Sequence, residues 1–142
     1  MPKPQDLSNH RRLVPLYHFV LSALLAAYLV HAVRTLLPLT QESGYRMVLA
    51  VALLLLAWFV RLFPVTVQDR VIRLEEQLRL ARLAPDLAPR LDEILPAQWT
   101  ALRFASDAEL PALARDVLAG KLAKPDDIKR AIRNWRPDYL RA

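Results

Sequence analysis

A chain of 142 residues is long enough for about one ordinary domain, and 54% of this one is hydrophobic. It has no cysteine, which excludes disulfides and thiolate chemistry, and its two glycines and eleven prolines favour helices separated by proline breaks. The net charge of +6 does not indicate a nucleic-acid partner. Residues 1–63 hold six Lys/Arg against two acids, so most of the excess lies beside apolar segments.

The first apolar segment, "LVPLYHFVLSALLAAYLVHAV", covers residues 13–33 and contains no Lys, Arg, Asp or Glu. At 1.5 Å per residue it is about 30 Å long, the thickness of the hydrocarbon core of a bilayer. A signal peptide is the alternative, but the run is longer than an h-region and no small-residue cleavage site ends it. We expect an N-terminal tail over residues 1–12 and a first membrane span over residues 13–37.

The second apolar segment, residues 47–67, has the same length and one charged residue, Arg61. We expect a second span over residues 46–67 and a short outer loop over residues 38–45, so that the spans form an antiparallel hairpin. A buried hairpin in a soluble protein is the alternative, but the remaining chain is too small to cover so much apolar surface. Arg61 is expected to extend towards the lipid headgroups near Trp58, the alternative being an ion path.

Basic residues predict the orientation of this hairpin. Two of them, Arg34 and Arg46, flank the loop, whereas six lie beside the opposite ends of the spans: Lys3, Arg11, Arg12, Arg61, Arg70 and Arg73. Basic residues concentrate on the cytoplasmic side of membrane proteins, so we expect both termini in the cytoplasm. The residues expected to anchor the spans at the membrane interfaces are Arg11, Arg12, Arg34, Arg46, Trp58 and Arg61.

The first span also has a face of small side chains, formed by Ser22, Ala23, Ala26 and Ala27. Small residues let helices approach closely in lipid, where hydrophobicity cannot drive their association. This face is predicted to pack against another helix. The partner could be the second span or another subunit.

Residues 68–84 are predicted to form an amphipathic cytoplasmic helix that continues the second span. Oppositely charged residues four apart, Asp69 with Arg73 and Glu75 with Arg79, are expected to pair on its outer face. Apolar residues recur at spacings of four, three, four and three: Val67, Val71, Leu74, Leu78 and Ala81. We call the first four of these the apolar seam, and expect it either to self-associate as a short coiled coil or to pack on the protein's own C-terminal helices.

Residues 85–142 are predicted to form a cytoplasmic bundle of short helices. Two of these helices, "PRLDEIL" and "PAQWTALRFA", begin with proline, which suits the first helical turn. The motif "SDAE" predicts a capping box in which Ser106 accepts a hydrogen bond from the backbone of Glu109 and Glu109 reaches back. The helix that it opens is expected to end near Ala119, with Gly120 as its C-terminal cap.

A last helix is predicted from Pro125, with the sequence "PDDIKRAIRNW". In this helix Lys129, Arg133 and Arg136, at spacings of four and three, are predicted to share one face. This basic face could be a solvated surface, a contact with anionic lipid headgroups, or a match for the acidic middle segment, residues 85–120.

Motifs for catalysis, metal binding or phosphate binding are not found. His18 and His31 lie thirteen residues apart, at different depths of one helix, so they cannot share a metal within one chain. We expect no catalytic residue, no cofactor, no metal and no small-molecule substrate. The expected partners are the lipid bilayer and a second copy of the chain or another membrane protein.

Four phrases taken together resemble a known family: "NHRRLVPLYHFVL", "QDRVIRLEEQLRL", "LRFASDAELP" and "IKRAIRNWRPDYLR". They are similar to a family of small bacterial two-span inner-membrane proteins known only as a domain of unknown function. The resemblance covers nearly the whole chain and implies a multi-pass protein of the bacterial inner membrane. It implies no catalytic or ligand-binding residue.

The sequence therefore predicts an all-α fold, in which a transmembrane helical hairpin continues into a long amphipathic helix and a small bundle. The function expected for it is that of a non-enzymatic, self-associating interaction or scaffold module anchored in the membrane. An accessory subunit of an oligomeric channel or transporter is one alternative. A regulator that binds anionic lipid through the C-terminal basic helix is the other.

Overall fold

A computed structural model describes residues 5–10 and 13–139, and the chain in these ranges forms helices and connecting loops. The same ranges contain no β-strand, although one isolated antiparallel bridge pairs Ala105 with Trp135. The all-helical fold predicted from the sequence is confirmed for the part of the chain that the structure describes.

The helices follow one another with short connections. The first begins with a π-helical turn, Leu16–Leu21, and continues as α1, Ser22–Arg34. Helix α2 runs without interruption through Pro64, so that the apolar and charged stretches of the sequence share one helix, Gln41–Leu83. After it come a 3₁₀ helix, Pro85–Glu93, and three short helices: α3, Pro96–Leu102; α4, Leu110–Leu118; and α5, Pro125–Ala131.

These elements divide into two compact units. The apolar unit comprises residues 13–64, and the C-terminal unit comprises residues 65–139 together with residues 5–10 of the N-terminal tail. Helix α2 contributes residues to both. The tail thus packs in the same unit as the last helices of the chain.

Side-chain hydrogen bonds define both ends of the apolar unit. Thr40 and Ser43 cap the start of α2 reciprocally, because each backbone N–H donates to the other side chain, at 2.9 and 3.1 Å. Helix α2 therefore begins at Gln41, within the predicted outer loop of residues 38–45. Nearer the other end, the Tyr17 hydroxyl donates to the Ala57 carbonyl at 2.5 Å and joins the first helix to α2.

The helices of the apolar unit are long and apolar enough to cross a membrane, by length and composition alone. The mean hydropathy is 1.8 in the helix Leu16–Arg34 and 2.4 in the most apolar part of α2, and only 6% of each stretch is buried. Large apolar side chains such as Leu24, Leu55 and Trp58 are exposed. A core helix of a soluble protein would be mostly buried, so these helices do not form a protein core.

The C-terminal unit has an apolar core of its own. Helix α3 packs against both α4 and α5, and the end of α2 contributes Leu80. The largest apolar side chains that are almost wholly buried are Leu80, Ile94, Trp99, Leu102, Phe104, Leu110 and Ile128. They come from α2, from the three short helices and from the segments between them, so that all of these elements share one core.

Several predicted helix ends are confirmed. Helices α3 and α5 begin at Pro96 and Pro125, where the missing N–H of proline leaves no intrahelical bond unmade. Gly120 follows α4 with a φ of +75°, its N–H donates to Val117 O, and Lys121 N–H donates to Asp116 O, both at 2.9 Å. This is a Schellman cap, which favours glycine because a side chain strains the left-handed conformation.

The helix expected to begin at Pro89 is instead the middle of a 3₁₀ helix that begins at Pro85. In an α-helix, the N–H of residue 89 would bond to the carbonyl of residue 85. Proline has no N–H to offer, and in an α-helix its ring would also clash with that carbonyl, so tighter 3₁₀ turns replace the α-helical one.

The predicted capping box is wrong. Helix α4 begins at Leu110, and no hydrogen bond joins the Ser106 hydroxyl to the backbone of Glu109. The Glu109 carboxylate instead accepts hydrogen bonds from the N–H of Arg133 at 3.3 Å, and from the N–H and side-chain amide of Asn134 at 3.1 and 3.0 Å. A contact 25 residues away in sequence has displaced the local cap.

The last helix is shorter than predicted, and the basic face at its end is wrong. Helix α5 ends at Ala131, and Ile132 is extended with a ψ of 124°. Beyond it the chain pairs with residues 104–106: Arg136 N–H donates to Phe104 O at 2.8 Å, and Ser106 N–H donates to Asn134 O at 3.1 Å. Because these bonds hold the segment extended, Lys129, Arg133 and Arg136 do not share one helical face.

Candidate functional site

The inward side of α2 in the C-terminal unit carries two charged residues. Glu76 and Arg79 are 4% and 7% exposed, and they lie on the helix between the buried Ile72 and Leu80. Residues 72, 76, 79 and 80 follow the spacing of one helical face. The sequence analysis does not predict this buried face, because it places Arg79 on the outer surface. The apolar residues Ile72 and Leu80, each four residues from Glu76, are the pattern that indicates it.

Arg79 contacts three acceptors from two parts of the chain. Its Nη1 donates to Glu76 Oε2 at 2.9 Å, its Nε to Asp107 Oδ1 at 2.6 Å, and its Nη2 to the carbonyl of Ala105 at 2.7 Å. The predicted pair with Glu75 is therefore replaced by one with Glu76. A buried guanidinium requires such partners, because an unpaired charge in the interior is strongly unfavourable.

Glu76 lies between two guanidinium groups. Its second oxygen, Oε1, is 3.5 Å from Arg136 Nη1. Burial raises the pKa of the Glu76 carboxyl above its ordinary value, and the positive charges of Arg79 and Arg136 oppose that shift without cancelling it. The carboxyl therefore stays protonated to a higher pH than a carboxyl in water.

A groove of about 700 Å³ lies beside this buried pair, between α2 and the segment 136–139. Its α2 wall is apolar at Val71, Ile72 and Leu78 and becomes basic towards Arg82. Across the groove, the Nε of Arg103 lies 3.1 Å from Asp138 Oδ2. The groove is therefore amphipathic, and it lies entirely within the C-terminal unit.

The N-terminal tail completes the C-terminal unit. Gln5 and Asp138 exchange two hydrogen bonds, from Gln5 Nε2 to Asp138 O at 3.0 Å and from Asp138 N to Gln5 Oε1 at 2.8 Å. The ring of His10 packs against Phe104 and Trp135, with centroid distances of 5.7 and 5.8 Å. The tail is thereby joined both to the core of the unit and to its last described segment.

The apolar seam lies on the exposed side of α2. Val67, Val71, Leu74 and Leu78 are between 48% and 59% exposed, whereas Ala81 packs partly against the core. The packing of α2 on the C-terminal helices uses the face of Ile72 and Leu80 instead. The structure thus leaves the seam without a partner in the single chain, within the residues that it describes.

The small-residue face of the first helix is also exposed. Ser22, Ala23, Ala26 and Ala27 all point away from protein, and the buried residue of α1 is Ala32, at 0% exposed. In α2 the corresponding buried residues are Ser43 and Ala50. The predicted face therefore does not serve the contact between the two helices of one chain.

The predicted interface anchors fall in different environments. Arg34 and Trp58 are exposed, Arg61 is half-buried, and the Nη1 of Arg46 lies 3.8 Å from Glu42 Oε1. Arg11 and Arg12 lie outside the described residues. Arg73, expected to pair with Asp69, instead pairs with Asp92 at 3.0 Å.

The three residues of the predicted basic face are also separated in their contacts. Lys129 Nζ is 3.5 Å from Asp126 Oδ1 within α5, whereas Arg136 turns towards Glu76. The backbone N–H of Arg133 donates to Glu109. The geometry on which a lipid-binding basic helix would depend is therefore absent from the described segment 125–139.

Across residues 5–10 and 13–139, no three His, Asp or Glu side chains come close enough together to hold a metal ion. The C-terminal unit instead offers a buried ion network, an amphipathic groove and an exposed seam. These features suit binding through surfaces.

Replacing Arg79 by Met should strongly destabilise the C-terminal unit. The substitution leaves Glu76 as a buried carboxylate with a weaker partner, and loss of one member of a buried pair costs about 3–5 kcal/mol. Arg73→Met is the control, because Arg73 and Asp92 are 39% and 91% exposed and an exposed pair contributes about 0–1 kcal/mol. Urea unfolding of the full chain in detergent measures both, and equal losses would contradict a structural role for Arg79.

Glu76 should make stability fall as pH rises. Its pKa is raised above 4.5 in the folded protein, so its favourable contribution is complete below 4.5 and is lost as pH rises through the folded pKa. Relative to Glu76→Gln, the wild-type protein should therefore lose unfolding free energy over that window in urea titrations. Relative to Glu93→Gln, the wild-type protein should show the opposite slope of unfolding free energy against pH, because the hydrogen bond from Arg90 lowers the pKa of Glu93. Slopes of the same sign would refute the assignment.

Comparison with known proteins supports one assignment. Neither the curated proteins nor the solved structures contain a match to this chain. One family model matches residues 1–142, and its description is a family of unknown function. The resemblance drawn from the four sequence phrases is thus confirmed at the level of the family. Because the match covers every residue, the chain belongs to the family of unknown function DUF6526.

Proposed function

We propose that this protein is a non-enzymatic interaction module of the bacterial inner membrane, held by two spans and self-associating through the apolar seam of α2. The observation that carries the proposal is the exposed seam. Its four side chains, Val67, Val71, Leu74 and Leu78, are about half exposed on a helix whose other side is packed. Exposed apolar patches on folded domains mark interaction sites.

The membrane location is supported by the surface of the apolar unit. Its two helices expose apolar side chains along almost their whole length, and a bilayer core of about 30 Å accepts helices of about 20 apolar residues. In water the same surface would cause aggregation. Lipid is the solvent that suits it.

The proposed topology is supported by the docking of the tail. Residues 5–10 and residues 65–139 form one compact unit, and both apolar helices lie between them in sequence. A chain that leaves a unit, crosses the membrane twice and returns to the unit has both ends on one side. The excess of basic residues beside those ends favours the cytoplasmic side.

Self-association is supported by the spacing of the seam and by confinement. Apolar residues at spacings of four, three and four form the repeat along which two helices pack with knobs in holes. Two such repeats contribute little affinity in dilute solution. Chains held in the same orientation in one membrane face each other at a high effective concentration, which makes a short seam sufficient.

The topology can be tested with single cysteines, since the chain has none of its own. Three exposed positions are suitable: Ser8→Cys in the tail, Glu42→Cys at the start of α2, and Asp126→Cys in α5. A membrane-impermeant maleimide should label only position 42 in spheroplasts, and all three after permeabilisation. Labelling of position 8 or 126 in intact spheroplasts, or recovery of the protein in the soluble fraction, would contradict the proposal.

Self-association can be tested with the double variant Leu74→Gln/Leu78→Gln. Each leucine buried in an interface contributes about 1.5–3 kcal/mol, so the affinity of the dimer in proteoliposomes should fall more than about tenfold. Leu95→Gln is the matched control, because Leu95 is 60% exposed in the same unit but outside the seam. Förster transfer between labelled copies at fixed lipid ratios gives the measurement. A monomeric wild type, or equal losses in both variants, would refute the seam.

A further inference from the structure

A second cavity, of about 390 Å³, lies within the C-terminal unit next to the amphipathic groove. Five residues line it, and each has a polar or charged end group: Arg79, Arg82, Ser106, Asp107 and Arg136. Its volume falls within the range of about 300–1,000 Å³ that is typical of small-molecule sites. Local sequence patterns do not predict this cavity, because its residues come from three separate segments.

The cavity carries an excess of positive charge. Three guanidinium groups face it against one carboxylate, and that carboxylate, Asp107, is already bound by Arg79. Arg82 lies within ion-pair distance of no carboxylate in the described chain, and its Nε donates to the Leu78 carbonyl at 3.3 Å. Its two terminal nitrogens are therefore available to a ligand. Arg136 contacts Glu76 at 3.5 Å through Nη1, which leaves its other terminal nitrogen.

Ser106 adds a neutral donor to the same wall. Its hydroxyl oxygen is buried and makes no hydrogen bond within the described residues. Buried hydroxyls are almost always hydrogen-bonded in native proteins, so one without a partner beside a cavity indicates a missing ligand or ordered water.

The backbone that carries Ser106 and Arg136 is held in place before any ligand binds. The N–H of Arg136 donates to Phe104 O at 2.8 Å, and the N–H of Ser106 donates to Asn134 O at 3.1 Å, on either side of the bridge between Ala105 and Trp135. Arg79 is fixed by its three acceptors. Preorganised donors bind more tightly, because less freedom is lost when the ligand arrives.

We propose that this cavity binds the phosphate group of a phosphorylated ligand, with the guanidinium groups of Arg82 and Arg136 on the phosphate oxygens and the Ser106 hydroxyl donating to a third. Arginine presents paired N–H groups that match phosphate oxygens. The donors come from three separate segments, α2, residue 106 and residue 136. A phosphate offers them three acceptor oxygens, whereas a carboxylate offers two. The cavity has room for more than the phosphate itself.

The phosphate could come from a soluble phosphorylated compound or from the headgroup of an anionic lipid. Both sources present the same chemistry to the arginines. The proposal goes beyond self-association through the seam and does not depend on it, because the two surfaces use different residues. An experiment that reads ligand binding directly can therefore fail or succeed independently of the oligomeric state.

The test uses the full chain in nanodiscs of phosphatidylcholine, titrated with inorganic phosphate and followed by calorimetry. A parallel series uses discs in which part of the lipid is replaced by phosphatidic acid, followed by the amount of that lipid retained after detergent extraction. Saturable phosphate binding in the first series identifies a soluble source. Retention of phosphatidic acid without phosphate binding identifies a headgroup.

Variants distinguish the cavity from general positive charge. Arg82→Gln should weaken binding about tenfold, the loss expected for one charge-assisted pair, and Ser106→Ala should weaken it about threefold. Arg82 is exposed, so its variant should keep the wild-type unfolding curve. Arg133→Gln, which removes a basic side chain outside the cavity, should change binding less than about twofold. Absence of saturable binding in both series, or equal losses in Arg82→Gln and Arg133→Gln, would overturn the proposal.

Discussion

The C-terminal unit depends on one buried guanidinium. Arg79 holds the end of α2 to the loop at residues 105–107, and through Glu76 it is linked to Arg136 in the last described segment. A buried ion network is weak evidence for high stability, but it accepts only one arrangement of its partners. We infer that this network fixes the register of α2 against the loop and the C-terminal segment. The cavity with Arg82 and Ser106 exists because that register places them together.

Helix α2 has two further structural roles. Before Pro64 it exposes apolar residues over most of its surface, apart from a narrow face that contains Ser43 and Ala50. After Pro64 it has a packed face and an exposed seam. Under the proposed function, the seam and the membrane span belong to one continuous helix. Association of two seams would therefore directly affect the position of the span. Pro64 removes one backbone hydrogen bond at this change of surroundings, which is tolerated because the helix continues on both sides.

The sequence predicts best what depends on composition and local spacing. The apolar segments, the proline starts of α3 and α5 and the Gly120 cap were all found from neighbouring residues. Two of the wrong predictions have the same cause. Glu109 and Ile132 lie in segments fixed by hydrogen bonds between residues about 25 or more positions apart, and helical periodicity carries no information about such contacts. The cavity was missed for the same reason. The buried face of α2 is not predicted because of a local pairing rule. Glu75 and Arg79 lie four residues apart, a spacing that suits an ion pair on the helix surface as well as the spacing of three between Glu76 and Arg79 does.

The docked tail has a consequence for the order of events during synthesis. Gln5 precedes both apolar helices in the sequence, whereas its partner Asp138 follows every helix of the C-terminal unit. The tail must therefore remain undocked while both apolar helices and every helix of the C-terminal unit are translated. Synthesis of the segment around Asp138, rather than insertion of the first helix, is what allows the tail to reach its final position.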